Sequence, residues 1–386
     1  MFVYLDNSAT TQVKPQVAEI MAKTMTEDFG NPSSLHRMGV TAEKILKNAR
    51  RQVAGALNAS PEELFFTSCG TESDATVLRG VWESRKKQGR RIITTAVEHP
   101  AILRSCEALQ REGADVVYLP VRKDCTFDME AFRSALTPDT ILVSVMHVNN
   151  EAGSIMPLTQ IRKEIDRVNR NILFHTDAVQ SFEKTETDVQ KLGVDLLSLS
   201  GHKIHACKGI GSLYVKKGLH IQPFLLGGGQ EGGFRSGTEN LPAIAGLGEA
   251  VRLAEENKAE RIAHIADVRN YLKQLLLDNI EDITVNSPEE GICSVLNVSF
   301  LGCRGEVLLH TLEQDEIYVS TGSACSSHKK GSHVLTAMGL TDEQIEGAIR
   351  FSFCEDNTRE QMDFVCEKVK AAAESQRRLR SAFKRK

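Results

Sequence analysis

Residues 172–177 read ILFHTD and residues 196–203 read LLSLSGHK, two apolar runs that each end in polar side chains. Similar short runs lie at 92–97, 116–119 and 141–146, and helical stretches such as 158–168 separate them. Strands that are apolar on both faces and alternate with helices are typical of a parallel sheet covered on both sides. The sequence therefore predicts an α/β fold whose ligand site lies beyond the carboxyl ends of the strands.

The C-terminal third of the chain has a different pattern. A long helix is predicted from about Ala243 to about Leu277, and residues 294–300 alternate partially as a strand does. A final helix is predicted from about Thr358 to about Ala373. These features indicate a second, smaller α+β unit, as expected for a chain of 386 residues.

Composition excludes several classes of protein. The net charge of -4 is small for this length, so nothing indicates binding to nucleic acid or to an anionic membrane. We find no apolar run of about 20 residues and no basic-then-apolar pattern in residues 1–6, and therefore expect no membrane association and a cytoplasmic location. The nine cysteines include no C-x-x-C pair, so no metal site is predicted, and most should be buried reduced thiols.

Asp177 and Lys203 follow two neighbouring runs and form a pair with a specific chemical use. A lysine amine can hold an aldehyde cofactor as a Schiff base, and a carboxylate can hold a pyridine nitrogen in its protonated form. Taken singly, Asp177 is better explained as a helix cap and Lys203 as a solvated side chain.

Further motifs follow in a fixed order along the chain. They are YLDNSATT (4–11), GNPSS (30–34), FTSCGTES (66–73), EH (98–99), VNNEAG (148–153), SGHKIHACKGIGSLYV (200–215), GGGQE (227–231), RSGT (235–238) and STGSACSS (320–327). This ordered set resembles the class V aminotransferases, specifically the cysteine desulfurases, over nearly the whole chain. One departure is Ala206-Cys207, where desulfurases commonly carry Gly-Pro.

The resemblance implies a transferase of fold type I that depends on pyridoxal 5'-phosphate (PLP). The large PLP-binding domain, with a mostly parallel seven-stranded sheet, is expected at 13–245. The smaller α+β domain is expected at 1–12 and 246–386, with a catalytic-cysteine loop at about 320–333. The resemblance also implies a homodimer with shared active sites.

The cofactor residues are assigned in part from chemistry and in part from the resemblance. Gly70 and Thr71 come before a helical stretch, where backbone N–H groups bind phosphate, and Ser200 and His202 flank the lysine and can donate to the same phosphate. By resemblance, His99 stacks on the cofactor ring and moves protons, Asn150 and Gln180 bind its phenolic oxygen, and Thr238 binds the phosphate of the neighbouring subunit. Taken alone, these residues are ordinary turn, cap or loop side chains.

Cys325 is the predicted sulfur carrier. Small residues surround it, and His328, Lys329 and Lys330 follow, which favours the thiolate. In the implied reaction, Lys203 removes the Cα proton of L-cysteine, and Cys325 takes the sulfur as a persulfide and leaves L-alanine. Arg350 is the candidate for the substrate carboxylate, with a structural ion pair as the alternative. Asn150 is a second predicted substrate contact.

Several alternative functions stay open. A selenocysteine lyase or a plain class V aminotransferase would share the cofactor. Gly227, Gly229 and Gly232 match the spacing of a dinucleotide-binding loop, but no helix obviously opens there. A non-catalytic sulfur or metal carrier lacks ligand spacing. The sulfur acceptor implied by the resemblance is either an iron–sulfur scaffold or a tRNA-thiolation enzyme.

Overall fold

A computed structural model of the chain describes residues 1–321 and 331–384, with side chains described through residue 380. The predicted cysteine Cys325 and most of the predicted loop at 320–333 lie outside the described residues. The described strands are β1 (Val3–Tyr4), β2 (Leu64–Thr67), β3 (Arg91–Thr95), β4 (Asp115–Leu119), β5 (Thr140–Ser144), β6 (Leu173–Asp177), β7 (Leu196–Ser200), β8 (Gly211–Val215), β9 (Ile283–Val285), β10 (Val295–Phe300), β11 (Ile317–Tyr318) and β12 (Ala348–Ser352).

The described helices alternate with the strands through the first two thirds of the chain. They are α1 (Pro15–Thr26), α2 (Arg37–Ala56), α3 (Gly70–Arg85), α4 (Pro100–Arg111), α5 (Met129–Ala135), α6 (Leu158–Val168), α7 (Val189–Leu192), α8 (Leu241–Glu256), α9 (Lys258–Asn279), α10 (Gly305–Glu313), α11 (His333–Ala337), α12 (Asp342–Glu346) and α13 (Arg359–Lys384). No helix in the described ranges is long and apolar enough to cross a membrane.

Seven strands form the central sheet in the order β2-β8-β7-β6-β5-β3-β4. Only β8 runs against its neighbours, because it pairs antiparallel with both β2 and β7. The other pairs are parallel. The prediction of a mostly parallel seven-stranded sheet is confirmed.

Both faces of this sheet are covered by helices. Ile92 and Leu142 pack with Val77 and Ile102 of α3 and α4 on one face. The next residue along a strand points to the opposite face of the sheet. Val143, for example, packs with α2, α6 and α8 on that face. Two buried faces explain why the strands are continuous apolar runs in the sequence.

A second core forms around two smaller sheets. The antiparallel sheet has the order β12-β10-β9, and β1 pairs in parallel with β11. Their buried side chains pack with α9, α10 and α13. The boundaries at residues 12/13 and 245/246 stay a prediction.

Two helix predictions were wrong in extent. The stretch predicted as one helix from about Ala243 to about Leu277 is two helices, interrupted at Asn257 with φ -135° and ψ 39°. Because α8 packs in the first core and α9 in the second, the chain must change direction between them. The last helix continues past Ala373 to Lys384 at the end of the described range.

The N-terminal segment, residues 3–14, connects the second core to the turn that carries Lys203. At one end, Leu5 O accepts a hydrogen bond from the backbone N–H of Ser352 at 2.7 Å. At the other, the Thr11 N–H donates to His202 O at 2.9 Å. The segment therefore lies directly against the strand ends where the site was predicted.

Candidate active site

Lys203 ends a single 3₁₀ turn, Gly201–Lys203, that directly follows β7. Its Nζ donates to the carbonyl oxygens of Ser8 at 2.5 Å and Ala9 at 2.8 Å. Burial, followed by the positive charges of Lys184 and Arg350, lowers the pKa of Lys203 to about 7. A large fraction of this amine is therefore uncharged at neutral pH, as a nucleophile or a proton acceptor requires.

Asp177 ends β6, the strand next to β7 in the sheet. Its Oδ1 accepts the backbone N–H of Val179 at 2.9 Å. Burial raises the pKa of Asp177, while the Val179 N–H and the nearby charges of His99 and Lys203 oppose that rise. The predicted acid and lysine therefore lie at adjacent strand ends and interact electrostatically.

His99 caps the N-terminus of α4, where its Nδ1 accepts the backbone N–H of Ala101 at 3.2 Å. This assigns the ring proton of the neutral form to Nε2. Burial lowers the pKa of His99, and the charges of Lys203 and His333 lower it further, while Asp177 raises it. His99 thus stands near Asp177 and Lys203 as a ring that favours the neutral form.

The first turn of α3 faces the same strand ends. A Cβ atom on Gly70 would lie 2.7 Å from Val179 Cγ2 and 3.7 Å from Ser200 Cβ, so the close approach requires glycine. Ser200 Oγ is buried and has no hydrogen-bond partner among the described residues. Together with the unpaired N–H groups of the first turn, where Thr71 is exposed, this is a site suited to an anion.

His202 is the middle residue of the turn that carries Lys203. Its Nδ1 is 3.3 Å from Thr10 Oγ1. Burial, and then the charge of Lys203, lowers the pKa of His202 to about 4, so the ring is neutral at neutral pH.

Gln180 shares a backbone acceptor with the lysine. Its Nε2 donates to Ser8 O at 2.9 Å, the same carbonyl that Lys203 contacts. Its Oε1 is buried and has no partner in the described part of the chain. An amide held at one end and unsatisfied at the other is suited to contact a bound group.

Arg350 on β12 is buried and already has partners. Its Nη2 donates to Asp6 Oδ1 at 2.7 Å and its Nη1 to the backbone carbonyl of Asn150 at 3.0 Å. Its Nε has no partner in the described ranges. The structure therefore contains the ion pair that was the alternative interpretation, and it also places Arg350 near Lys203. The roles of Arg350 and Asn150 toward substrate stay predictions.

The segment that carries Cys325 is attached to this site at both ends. On one side, Ser320 exchanges backbone hydrogen bonds with Arg350. On the other, His333 Nε2 lies 3.1 Å from the carbonyl oxygen of Glu98, the neighbour of His99. Cys325 itself lies outside the described residues.

Thr238 lies apart from the other candidates. It is exposed and lines a separate hollow of about 180 Å³ with Ser68 and Gly209. The predicted contact of Thr238 with a neighbouring subunit is not tested by one chain.

Sequence reasoning missed a buried polar network behind the strand ends. His175 Nδ1 is 2.9 Å from Ser144 Oγ, and its Nε2 is 3.0 Å from Ser198 Oγ and 3.7 Å from Asp74 Oδ1. Burial lowers the pKa of His175 to about 3 and raises that of Glu98 to about 8. A histidine within an apolar strand was the one signal that could have pointed to this network.

The chain matches the family model described as Aminotransferase class-V over residues 3–365. It is 43% identical to a Clostridium botulinum (strain Hall) protein named "Cysteine desulfurase IscS" over 369 residues, which is 95% of this chain and 92% of that protein. The chain belongs to the class V aminotransferases, and within them to the cysteine desulfurases.

Solved structures agree with this family assignment. A NifS-like protein has a TM-score of 0.91 and 40% identity, covering 96% of this chain and 99% of the other. A structure described as "SspA in complex with cysteine" has a TM-score of 0.82 and 32% identity, covering 92% of this chain and 100% of the other.

The residues of this cysteine desulfurase fit PLP. Gly70 leaves the space, Ser200 Oγ and Gln180 Oε1 are buried polar atoms without described partners, and Asp177 is a buried carboxylate beside the lysine. Lys203 would hold the aldehyde carbon, Asp177 the ring nitrogen, and the first turn of α3 the phosphate.

Proposed function

We propose that this chain removes sulfur from L-cysteine, carries it on Cys325 and releases L-alanine. The observation that supports this proposal best is that Lys203, Asp177 and the two ends of the Cys325 segment come together at one site. Lys203 and Asp177 lie at adjacent strand ends, and the two flanks of the Cys325 segment reach Arg350 and Glu98 at the same place. The family of the chain and a neighbour described in complex with cysteine support the same substrate.

Proton transfer is the task of Lys203. When bound, PLP supplies an electron-withdrawing ring that stabilises negative charge at the substrate Cα. Lys203 accepts the Cα proton, because its lowered pKa of about 7 leaves free amine available. Asp177 keeps its negative charge beside the ring nitrogen, because that charge and a proton on the nitrogen stabilise one another. Arg350 orients the substrate carboxylate through the guanidinium edge that includes Nε.

Sulfur transfer is the task of Cys325. Its thiolate attacks the sulfur of the substrate, so a sulfur–sulfur bond forms as the substrate Cβ–S bond breaks. The electron pair of the broken bond stays with Cβ, which takes up a proton and becomes the methyl group of alanine. The cysteine sulfur leaves as the outer atom of a Cys325 persulfide.

Two variants test the two tasks separately. Lys203→Ala should lose the Schiff-base link to PLP. In the wild type, borohydride reduces this link to a stable amine, which peptide mapping should locate at Lys203. Cys325→Ser should retain the cofactor absorbance and its change on adding cysteine, but lose at least about 100-fold in alanine and sulfide release, because a hydroxyl cannot accept sulfur. Cys366→Ser, a change at a buried cysteine of the second core, is the control.

Unchanged turnover in Cys325→Ser would refute the persulfide mechanism. Formation of a keto acid instead of alanine would indicate an aminotransferase. A strong preference for selenocysteine would indicate a selenocysteine lyase.

The finer assignments are part of this proposal. The enzyme is a homodimer in which Thr238 contacts the PLP phosphate of the partner subunit, and it works in the cytoplasm. It passes sulfur to an acceptor protein, either an iron–sulfur scaffold or a tRNA-thiolation enzyme. The basic end of the chain, which includes Arg378 and Lys384, forms the docking surface for an acidic acceptor.

A further inference from the structure

A cavity of about 250 Å³ beside the lysine turn is lined by residues of both cores. Lys203 is the one candidate active-site residue in its lining; His99, Asp177, Gly70 and Ser200 are not part of it. One wall is apolar and includes Ala250 of α8 and Phe353 after β12. The cavity is therefore distinct from the proposed cofactor site.

Lys184 brings an unpaired positive charge to this cavity. The residue is 8% exposed and lines the cavity, and its Nζ makes no hydrogen bond or ion pair with any described residue. Burial lowers the pKa of Lys184 to about 8, so most of the amine is still protonated at neutral pH. An ammonium group on a largely buried side chain, without a protein partner, is suited to pair with an anion that enters the cavity.

Arg261 adds a second positive charge to the wall of the same cavity. Its Nη2 donates to the backbone carbonyls of Glu183 at 2.7 Å and Ala254 at 3.1 Å. Its Nε is buried and has no partner in the described part of the chain. The charge of Arg261 acts on Lys184, so the two groups are close to one another.

The acidic residues of the cavity wall already have partners. Glu183 lies 3.3 Å from Lys258 Nζ and 3.8 Å from Arg261 Nη2. Glu355 lies 3.1 Å from Lys14 Nζ and 3.4 Å from His205 Nε2. Neither carboxylate forms an ion pair with Lys184. The two oxygens of Glu183 are buried and accept no hydrogen bond from a described residue, and burial raises the pKa of Glu183 to about 7.

The same wall contains a group that resembles a metal site. Potential ligand atoms of His205, Cys354 and Glu355 lie within 4.8 Å of one another. The ammonium group of Lys14 contacts that glutamate, however, and the charge of Lys184 also interacts with Cys354 and Glu355. The surplus positive charge favours an anion over a cation.

We propose that this cavity is a binding site for a small monocarboxylate. Its carboxylate pairs with Lys184 Nζ, close to the positive charge of Arg261, and its short apolar body packs against Leu253 and Phe353. The volume is large enough for a ligand of a few carbon atoms. Because the site is next to Lys203, its occupancy adds a negative charge near the reacting amine.

Calorimetric titration of the holoenzyme with sodium propionate, at pH 7 and constant ionic strength, tests the proposal. We expect saturable binding of one propionate per chain, and at least a tenfold weaker affinity in Lys184→Met. Lys191→Met removes an exposed lysine that pairs with Glu186, and it should bind propionate as the wild type does.

Ala250→Leu tests the cavity without changing any charge. It should also weaken propionate binding at least tenfold, because the added carbons occupy the cavity. This variant decides the question if Lys184→Met does not fold. Equal affinity in Ala250→Leu and the wild type would refute the site, as would the absence of binding in the wild type.

Sodium sulfate at the same ionic strength tests the ligand class. Competition by sulfate as strong as that of propionate would refute the preference for a carboxylate. The heat signal does not depend on turnover, so a failure of the proposed desulfurase function would leave this test valid.

Discussion

Glu355 carries a carboxylate whose ionisation should contribute to stability. Burial raises its pKa, but the hydrogen bond and charge of His205 and the charge of Lys14 outweigh burial and hold the pKa of Glu355 far below its usual range. For an acid with a lowered pKa, the stabilisation is present above the unfolded-state pKa, near pH 4.5, and is lost as the pH falls toward the folded-state value.

Glu355→Gln should therefore lower the free energy of unfolding by about 1–2 kcal/mol at pH 7, and by progressively less as the pH falls below 4.5. Denaturant unfolding across this pH range measures the difference. Asp356→Asn is the matched control, because Asp356 shares Lys14 but is 64% exposed, and should cost under about 0.5 kcal/mol. A loss for Glu355→Gln that does not change with pH would contradict the ion-pair explanation.

Cys207 takes the position where desulfurases commonly have proline. It packs at the edge of the first core, and burial raises its pKa, so it has the character of a small apolar residue. Cys207→Ala should keep most of the desulfurase activity and the cofactor spectrum. A sharp loss of sulfide release, with the Cys325 persulfide still detectable by mass spectrometry, would instead assign Cys207 a role in sulfur relay.

Cys207→Pro should also be tolerated. The backbone N–H of Cys207 donates to no other backbone group in the described ranges, so proline would remove no backbone hydrogen bond. Restriction of the unfolded chain could add about 0.4–1 kcal/mol to stability. Thermal unfolding measures this effect, and a lowered midpoint would show that the turn cannot adopt the φ angle of proline.

Individual residues of the site differ in how well the sequence could predict their surroundings. Asp177 and Lys203 could be paired because both follow apolar strands, and parallel strands end at one edge of a sheet. The partner of Arg350 could not be predicted, because Asp6 is 344 positions away and no local pattern links the two. The unpaired charge of Lys184 could not be predicted either, because a lysine in a polar stretch of sequence is normally exposed.

At the level of elements, α13 illustrates why the C-terminal end of a helix can be predicted too early in the sequence. Residues 374–384 are rich in charge, and their sequence predicts a solvated end to the chain. Arg377, however, donates from Nε to Leu301 O at 2.9 Å and from Nη2 to Asp282 O at 3.0 Å. These hydrogen bonds tie the helix to the loops around β9 and β10 and help to continue it past Ala373.

Two truncated proteins test the proposed docking role of this basic end. Removing residues 381–386 should slow sulfur transfer to the acceptor severalfold while alanine production stays unchanged, because Arg377 keeps its contacts. Removing residues 377–386 should also destabilise the protein by about 1–3 kcal/mol. Transfer rates and urea midpoints of both truncated proteins provide the measurements. Equal transfer rates for the shorter truncation and the full chain would end the docking hypothesis.

At the level of the whole molecule, exposed apolar side chains point to an interface. Phe224, Leu225 and Leu226 are 50%, 37% and 77% exposed in the loop that leads to Thr238. Side chains of this size are usually covered when they occur together. Their proximity in sequence to Thr238 supports the proposed homodimer.

Leu226→Asp should shift the protein from dimer to monomer in sedimentation experiments and reduce its PLP content. Both effects have one cause, because the proposed phosphate contact of Thr238 depends on the partner subunit. Leu277→Asp, at a leucine of α9 that is 45% exposed, should change neither property. A wild-type protein that sediments as a monomer with full cofactor would refute shared sites.

The arrangement of the N-terminal segment has a consequence for the way the chain folds. Residues 3–11 are synthesised early, but their partners lie at 202–205, 317–318 and 350–352. Contacts of such sequence separation form slowly, because a very long loop must close before they stabilise anything. On the ribosome, the central sheet can form before residues 317–318 and 350–352, which pair with this segment, have been synthesised. We therefore expect residues 3–11 to be among the last to reach their native positions, so that Lys203 acquires its two backbone acceptors late in folding.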